Sequence, residues 1–561
     1  MEKNSALKIE KKIEETYEDW IKKIYDASRP NLREEHTRDH VQESQKIKGE
    51  ESQIKSSKKR WILPGFVFIL ALASRFYFAF FIINPQNGAY GWYNDIYHHW
   101  LIGFFTRDVG LSHGFLRLWD LKGMEYFWGP LHPLVLSLLF TITGSTSIII
   151  PKLLSIVSGS GAIVVLFLLA KRYFNLQVAI ATAFLAVFNP IGIFTDVSGM
   201  QEPLGILLLF LALYFWPKQS LLAGFLFGIV SMARAEYWLF SAGLVFTLIV
   251  FSKEHIDKKM ACAFAYIVPI IFYMKYLLNY TNNAIYPIWW NFLGNAKGEW
   301  QPDIPLNDEQ VFIRYIFGVI LAVSILGMLI ILKKRPKWFL LSLLGLGNLA
   351  FLAFFIGFTD YILSYLPRFW LDRIFWLPYL FIGFIVAVLI FSSLKRILPM
   401  FSKMYFNWIL WLFLGVIILV LQILWIPIWR YYQPERWSFV LERREMAAKE
   451  ALSSYNGGSI LVPEDDQVFV YYLVKNSNIS GKNLIGQMFD PFYYMNGDPF
   501  AKWGKNRKVI LDWLKKEDIR LIFLKPETLR YKKMVSLEKD HFKYIKTITN
   551  GVNLMIYEVV N

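Results

Sequence analysis

Hydrophobic positions in this chain come in long unbroken runs, not in the stripes or alternations of a water-soluble core. Apolar stretches long enough to span a bilayer, or nearly so, lie at roughly 61–83, 153–170, 178–195, 202–216, 220–233, 237–251, 260–278, 313–332, 338–358, 374–393 and 407–428. A helix needs about 20 such residues to cross a hydrocarbon core of about 30 Å. The pattern predicts a polytopic α-helical membrane protein with about eleven transmembrane helices. The runs at 202–216 and 220–233 are short, as expected of helices that stop within the membrane beside a water-filled cavity.

The polar intervals set the topology. Residues 1–60 form a hydrophilic, mixed-charge tail ending in KSSKKR directly before the first apolar run, which marks a cytoplasmic side. No cleavable signal peptide is expected in a start so polar. With the N-terminus inside, the inner loops hold Lys171 and Arg172, Lys218, Lys253 with Lys258 and Lys259, the group Lys333, Lys334, Arg335 and Lys337, and Lys395 with Arg396 and Lys403. The outer loops are poorer in Lys and Arg for their length, so the positive-inside rule holds at every inner loop. Residues 129–144, GPLHPLVLSLLFTITG, are apolar but short. If they crossed the membrane, every later loop would invert, so they are expected to lie in the outer interface within one long outer loop, about 84–152.

This parity puts the C-terminus outside. The transmembrane region is expected over 61–430 and a soluble extracytoplasmic α/β domain over 431–561. There GGSILVPEDD reads as a strand, KVILDWLKKEDIRLIFLK as a helix then a strand, and HFKYIKTITNGVNLMIYEVV as a hairpin. Its Asn550-Gly551 dipeptide suits a two-residue turn with positive φ.

Composition sharpens the reading. Of 561 residues, 55% are hydrophobic and 18% aromatic, a load that soluble surfaces rarely carry, and mean hydropathy is +0.35. The net charge of +16 would suggest nucleic acid in a soluble protein, but much of it sits in short loops where topology accounts for it. The lone Cys262 excludes an internal disulfide and any multi-cysteine metal site. There is no Walker A loop, no GxGxxG after a strand and no HExxH, which argues against a cytoplasmic nucleotide site.

Ionisable groups near membrane depth each ask for a reason. Asp95, about a dozen residues past the first span, could serve as a general base toward an acceptor hydroxyl, or simply cap a helix. Asp196 and Glu202, in FTDVSGMQEPLG, could bind a divalent cation or steer the acceptor. Equally, Asp196 suits a helix end, and Glu202 with Pro203 the first turn of the next helix. Arg234 and Glu236, in ARAEYW, could pair with each other, or Arg234 could hold a phosphate. Arg368, Asp372 and Arg373 lie among aromatics, as belt anchors or as a clamp on a lipid phosphate. His98 and His99 follow Asp95, with His132 further on; adjacent histidines do not share a helix face, so an HxxxH-type zinc site is unsupported.

Several of these segments together resemble a known family. An early loop acid in WYND, the start FWGPLHPLVLSLLF, the span KLLSIVSGSGAIVVLFLLAKRYF and the pair FLAVFNPIGIFTDVSGMQEPLGILLLFLALYF resemble the GT-C superfamily of polytopic glycosyltransferases. The branch is the protein-mannosyltransferase-like and aminoarabinose-transferase-like group. The resemblance covers most of 61–250, the later helices in hydropathy and loop placement only, and the tail not at all. It implies a polyprenyl-phosphate sugar donor used on the outer face with inversion. It also implies that Asp95 is the catalytic acid of the first loop, that Asp196 and Glu202 belong to the second acidic loop, and that Arg368 or Arg373 meets the donor phosphate. Asp95 is flanked by Asn94 and Ile96, where the family often has adjacent acids, and no WWDYG-like motif is present, which argues against an oligosaccharyltransferase proper. The expectation is a multi-pass glycosyltransferase of the plasma (inner) membrane, with His98, His99 and Glu236 as further pocket residues and Mg or Mn open as cofactor. The acceptor (protein, lipid or glycan) stays open, and no nucleic acid partner is expected. The alternative is a multi-pass transporter of a lipid-linked or small solute, which predicts internal repeats and mid-span polar groups.

Overall fold

A computed structural model describes residues 61–82, 95–110, 129–252, 254–289, 376–394, 404–431, 434–463, 466–486, 503–526 and 535–560. The chain divides into two units, Met1–Phe66 and Val67–Asn561; of the first, residues 61–66 are described. The expected spans at 313–332 and 338–358 lie outside the described residues.

The remaining apolar runs are helices close to the expected positions. They are α1 (Ile62–Tyr77, continued as a π turn over Phe78–Ile82), then α4 (Ile149–Tyr173), α5 (Leu176–Val187), α6 (Pro190–Val197), α7 (Glu202–Phe215), α8 (Ser220–Val230), α9 (Ala235–Phe251), α10 (Ile256–Thr281), α11 (Trp376–Val388) and α12 (Met404–Tyr431). Between α1 and α4 lie α2 (Asp95–Asp108) and α3 (Leu131–Thr143). Three described helices are long and apolar enough to cross a membrane, and up to four if the bent α5–α6 pair counts as one span. At 1.5 Å per residue, α7 and α8 are about 21 and 17 Å long, short of a hydrocarbon core of about 30 Å.

The run 178–195 is not one straight helix. It breaks between α5 and α6 with a bend of 60°. Pro190 has no N–H to offer Ala186, and Asn189 adopts an extended backbone and caps α6, its side chain accepting from Gly192 N at 3.2 Å. The carbonyls left over at the end of α5 find another donor. Arg75, in the last turn of α1 and fully buried, donates to Val187 O at 2.6 Å and Ala186 O at 3.4 Å.

Basic residues gather where α4, α7 and α10 end or begin. Arg172 donates to Tyr214 O at 2.6 Å and lies 4.0 Å above the Tyr214 ring, and Lys258 donates to Pro217 O at 3.1 Å. Elsewhere α8 and α10 touch backbone to backbone: a Cβ on Gly224 would lie 2.2 Å from Cys262 O.

The C-terminal region contains α13 (Pro434–Leu452), β1 (Ser459–Val462), α14 (Gln467–Ser477), β2 (Leu484–Gly486), α15 (Trp503–Lys516), β3 (Ile519–Leu524), β4 (Phe542–Ile548) and β5 (Leu554–Val559). The strands form one sheet, ordered β2-β1-β3-β5-β4. β1 pairs parallel with β2 and β3, while β5 runs antiparallel to β3 and β4. The parallel strands are buried almost throughout, as a sheet covered on both faces requires. Ile510 and Leu514 of α15 pack on Leu461, Ile485 and Ile522. The β4–β5 hairpin forms as expected, but its connection is longer than two residues: Ile548 pairs with Leu554, and only Gly551 of the dipeptide takes positive φ, at 86°.

Candidate functional site

The first-loop acid stands at a helix start. Asp95 opens α2, where the unpaired N–H groups favour a carboxylate. Its side chain is half-buried. The next residue, Ile96, is fully buried against the turn after α6. Gly199 in that turn has φ +78, and a Cβ there would lie 2.3 Å from Ile96 Cδ1 and 3.2 Å from Lys152 Cγ. Only glycine meets both demands, so the second acidic segment comes directly against the start of α2. Ser155 of α4 fixes the same turn by donating to Met200 O at 2.5 Å.

One helical turn beyond Asp95, and on the same face, is His99. It is buried, and its ring meets that of His132 edge-on, with centroids 5.1 Å apart. His132 belongs to α3 and feels the charge of Glu202. Glu202, the first residue of α7, is 2% exposed and pairs with Arg234 at 2.5 Å. Arg234 is the extended residue that precedes α9. The link carrying it also holds the start of α3, since Leu131 N donates to Met232 O at 3.2 Å. The structure therefore joins the start of α2, the turn 198–202, the start of α3 and Arg234 in one polar layer.

Asp196 lies elsewhere. It sits in the last turn of α6, the helix end that its place in the sequence also suits, with 0% exposure. Its Oδ2 accepts from Arg75 Nε at 3.0 Å. A Cβ on Gly159 of α4 would lie 2.1 Å from its Cγ, so the carboxylate is seated directly on the neighbouring helix. Asp196 and Glu202 thus do different work, each with its own arginine. Arg234 meets Glu202; the side chain of Glu236, and Arg368, Asp372 and Arg373 as whole residues, lie outside what the structure describes. His98 is partly exposed on α2.

The candidate residues read from the sequence include neither Lys152, buried in the first turn of α4, nor Arg75, buried in the last turn of α1. The signal for Arg75 was present: a guanidinium inside an apolar run requires an acid, and Asp196 stands in a run of its own. Among the described residues, no group of three or more His, Cys, Asp or Glu is placed to hold a metal ion. Near α2, burial raises the phenol pKa of Tyr471 and of Tyr472, so both keep their protons across the physiological range.

Chemically, the layer combines a half-buried carboxylate at a helix start, two imidazoles and an arginine–carboxylate pair. It can accept a proton from a hydroxyl and orient a polar or anionic group beside it. No protein-family model and no curated protein matches the chain. Solved structures similar to it include the Archaeoglobus fulgidus oligosaccharyltransferase in its apo form, at 13% identity, covering 89% of this chain and 75% of that one, with a TM-score of 0.44. The same enzyme in complex with Zn and sulfate matches at 13% identity over 87% and 72%, with a TM-score of 0.36. ArnT from Cupriavidus metallidurans in the apo state matches at 13% identity over 88% and 98%, with a TM-score of 0.40. At such scores no activity passes from those proteins to this one, and function has to be read from the site.

Proposed function

We propose that this protein is an inverting membrane glycosyltransferase that uses a polyprenyl-phosphate-linked sugar at the outer face of the membrane. The observation that carries the reading is the packing of the helix start that bears Asp95, through Ile96, against the turn 198–202 that leads into Glu202 and its partner Arg234. In this reaction the Asp95 carboxylate takes the proton of an acceptor hydroxyl. The acceptor oxygen bonds to the anomeric carbon from one side, and the bond from that carbon to the phosphate oxygen breaks on the other. The electron pair leaves with polyprenyl phosphate, whose charge a guanidinium stabilises.

Arg234, already tied to Glu202, is one candidate for that guanidinium, and Arg368 and Arg373 are the others. Glu202 fits a role in orienting the acceptor, near His132, whose ring meets that of His99 on the helix that Asp95 opens. Asp196, held by Arg75, fits a structural role better than acceptor or metal binding. The described residues do not supply a three-ligand metal set, and no step above runs through a cation. Residues 61–430 would form the membrane part and 431–561 the outer domain, in a plasma (inner) membrane with the tail inside. The short α7 and α8 suit a cavity where an isoprenoid tail stays in lipid while its sugar reaches water.

The test is sugar transfer by purified protein in lipid vesicles, with radiolabelled polyprenyl-phosphate sugars and a membrane and protein extract as acceptor. Asp95→Asn should lower transfer by about 10²–10⁴-fold, the usual worth of a general base. Transfer that survives Asp95→Asn and Asp95→Ala would refute the mechanism. The buried Arg75–Asp196 pair beside a broken span is what a transporter would also use. Donor-independent flux of a solute across the same vesicles, lost in Asp196→Asn, would favour that second reading.

A further inference from the structure

The C-terminal domain reaches α2 at both of its ends. Near the start, the Tyr471 ring of α14 meets Tyr97 edge-on at 5.2 Å and Trp100 at 4.8 Å. The Tyr471 hydroxyl accepts from Ile148 N at 3.3 Å, just before α4. Trp100 stacks on Phe104 at 5.0 Å and donates to Thr146 O at 2.6 Å. At the far end, Gly481 N donates to Asp108 Oδ2 at 2.8 Å. The approach there is so close that a Cβ on Gly481 would lie 2.9 Å from Asp108 Cβ and 3.0 Å from the Phe105 ring. Tyr97 and Trp100 are fully buried.

We infer that Tyr471 and Gly481 are positioning residues: the C-terminal domain clasps α2 at both ends and thereby fixes where the Asp95 carboxylate stands. The inference rests on the reading of Asp95 as general base. Asp95 lies two residues before Tyr97, so the roll of the helix sets the direction of its carboxylate. Successive positions on a helix are about 100° apart, and a reacting group misplaced by about 1 Å can cost about 100-fold in rate. Edge-on aromatic pairs are favoured over other ring arrangements, so the Tyr471 contacts hold α2 in one orientation against its neighbours.

The experiment uses the full chain in lipid vesicles, as wild type, Tyr471→Phe, Tyr471→Ala and Gly481→Val. Hydrogen exchange of the amides in 95–108 and sugar transfer across a range of donor concentrations are both measured. Tyr471→Ala and Gly481→Val should speed exchange in 95–108 by about tenfold or more while amides in 149–173 keep wild-type rates. They should lower kcat by about 10–100-fold with donor KM nearly unchanged. Tyr471→Phe, which keeps the ring, should recover most of both. Unchanged exchange in 95–108 would overturn the inference, as would equal acceleration along the whole chain, or faster local exchange with kcat intact. A wild type that transfers no sugar sinks the glycosyltransferase reading instead, and exchange then decides whether the clasp exists.

Discussion

The Arg75–Asp196 and Arg234–Glu202 pairs differ in what surrounds them. Arg75 is wholly enclosed and spends its donors on Asp196, on Ser74 Oγ at 2.8 Å and on the carbonyls at the end of α5. Arg234 remains partly exposed and belongs to the polar layer around Asp95. Breaking a buried pair from one side leaves an uncompensated charge, which costs about 3–5 kcal/mol. Arg75→Ala should therefore lower the thermal midpoint in detergent far more than Arg234→Ala. Replacing both partners, with Arg75→Met and Asp196→Leu, should recover much of the loss, although α5 would still lack its donor. A double variant no more stable than Arg75→Ala alone would show that the carbonyl contacts, not the ion pair, carry the effect.

The broken span is the element on which the site depends, because α6 delivers the turn 198–202 to the start of α2. Asn189 and Pro190 set the break, and losing an N-cap of this kind costs about 1 kcal/mol. Asn189→Ala should lower stability by about that amount, with accelerated hydrogen exchange confined to α6; exchange spread evenly over α5 and α6 would contradict a local cap. This break shows why the sequence was readable in some places and not in others. The run 178–195 is continuously apolar, so hydropathy reports one span, and only the dipeptide Asn189-Pro190 hints at two. The helix α14 was missed because QVFVYYLVKNS is rich in β-branched and aromatic residues. Its helix is secured by Asp466 capping Phe469 N at 3.0 Å and by packing, not by intrinsic preference. The three-residue β2 is too short to leave a pattern. α2 is buried on nearly every side, so it shows no amphipathic stripe, and only the capping character of Asp95 hinted at a helix there. In contrast, α15, β3 and the β4–β5 hairpin were legible because a strongly amphipathic helix and strands bounded by turn residues carry their own signals. Of the site, the acids and Arg234 were visible in sequence; which arginine meets which acid was not, since each pair joins distant segments.

At the scale of the whole molecule, charge placement predicts a tail on the inside and the last domain on the outside. The clustering of Arg172 and Lys258 at one end of the helices, with α2 and Glu202 associated with other ends, gives this a direct test. Cys262 is fully buried, so the chain offers a quiet background for introduced thiols. Lys475→Cys should react with an impermeant maleimide in intact cells and Lys258→Cys only after permeabilisation; the reverse would invert the topology.

The contacts of α2 also impose an order in time. Its partners Tyr471 and Gly481 come late: the Ile148–Tyr471 and Asp108–Gly481 contacts span 323 and 373 positions of the chain. A ribosome adding about 5–20 residues per second reaches Gly481 on the order of 20–75 s after Asp108. Through that interval α2 already exists, and the aromatic surface of Tyr97 and Trp100 is left without the cover that Tyr471 provides. The surroundings of α2 can thus be completed only after the chain has been made as far as Gly481.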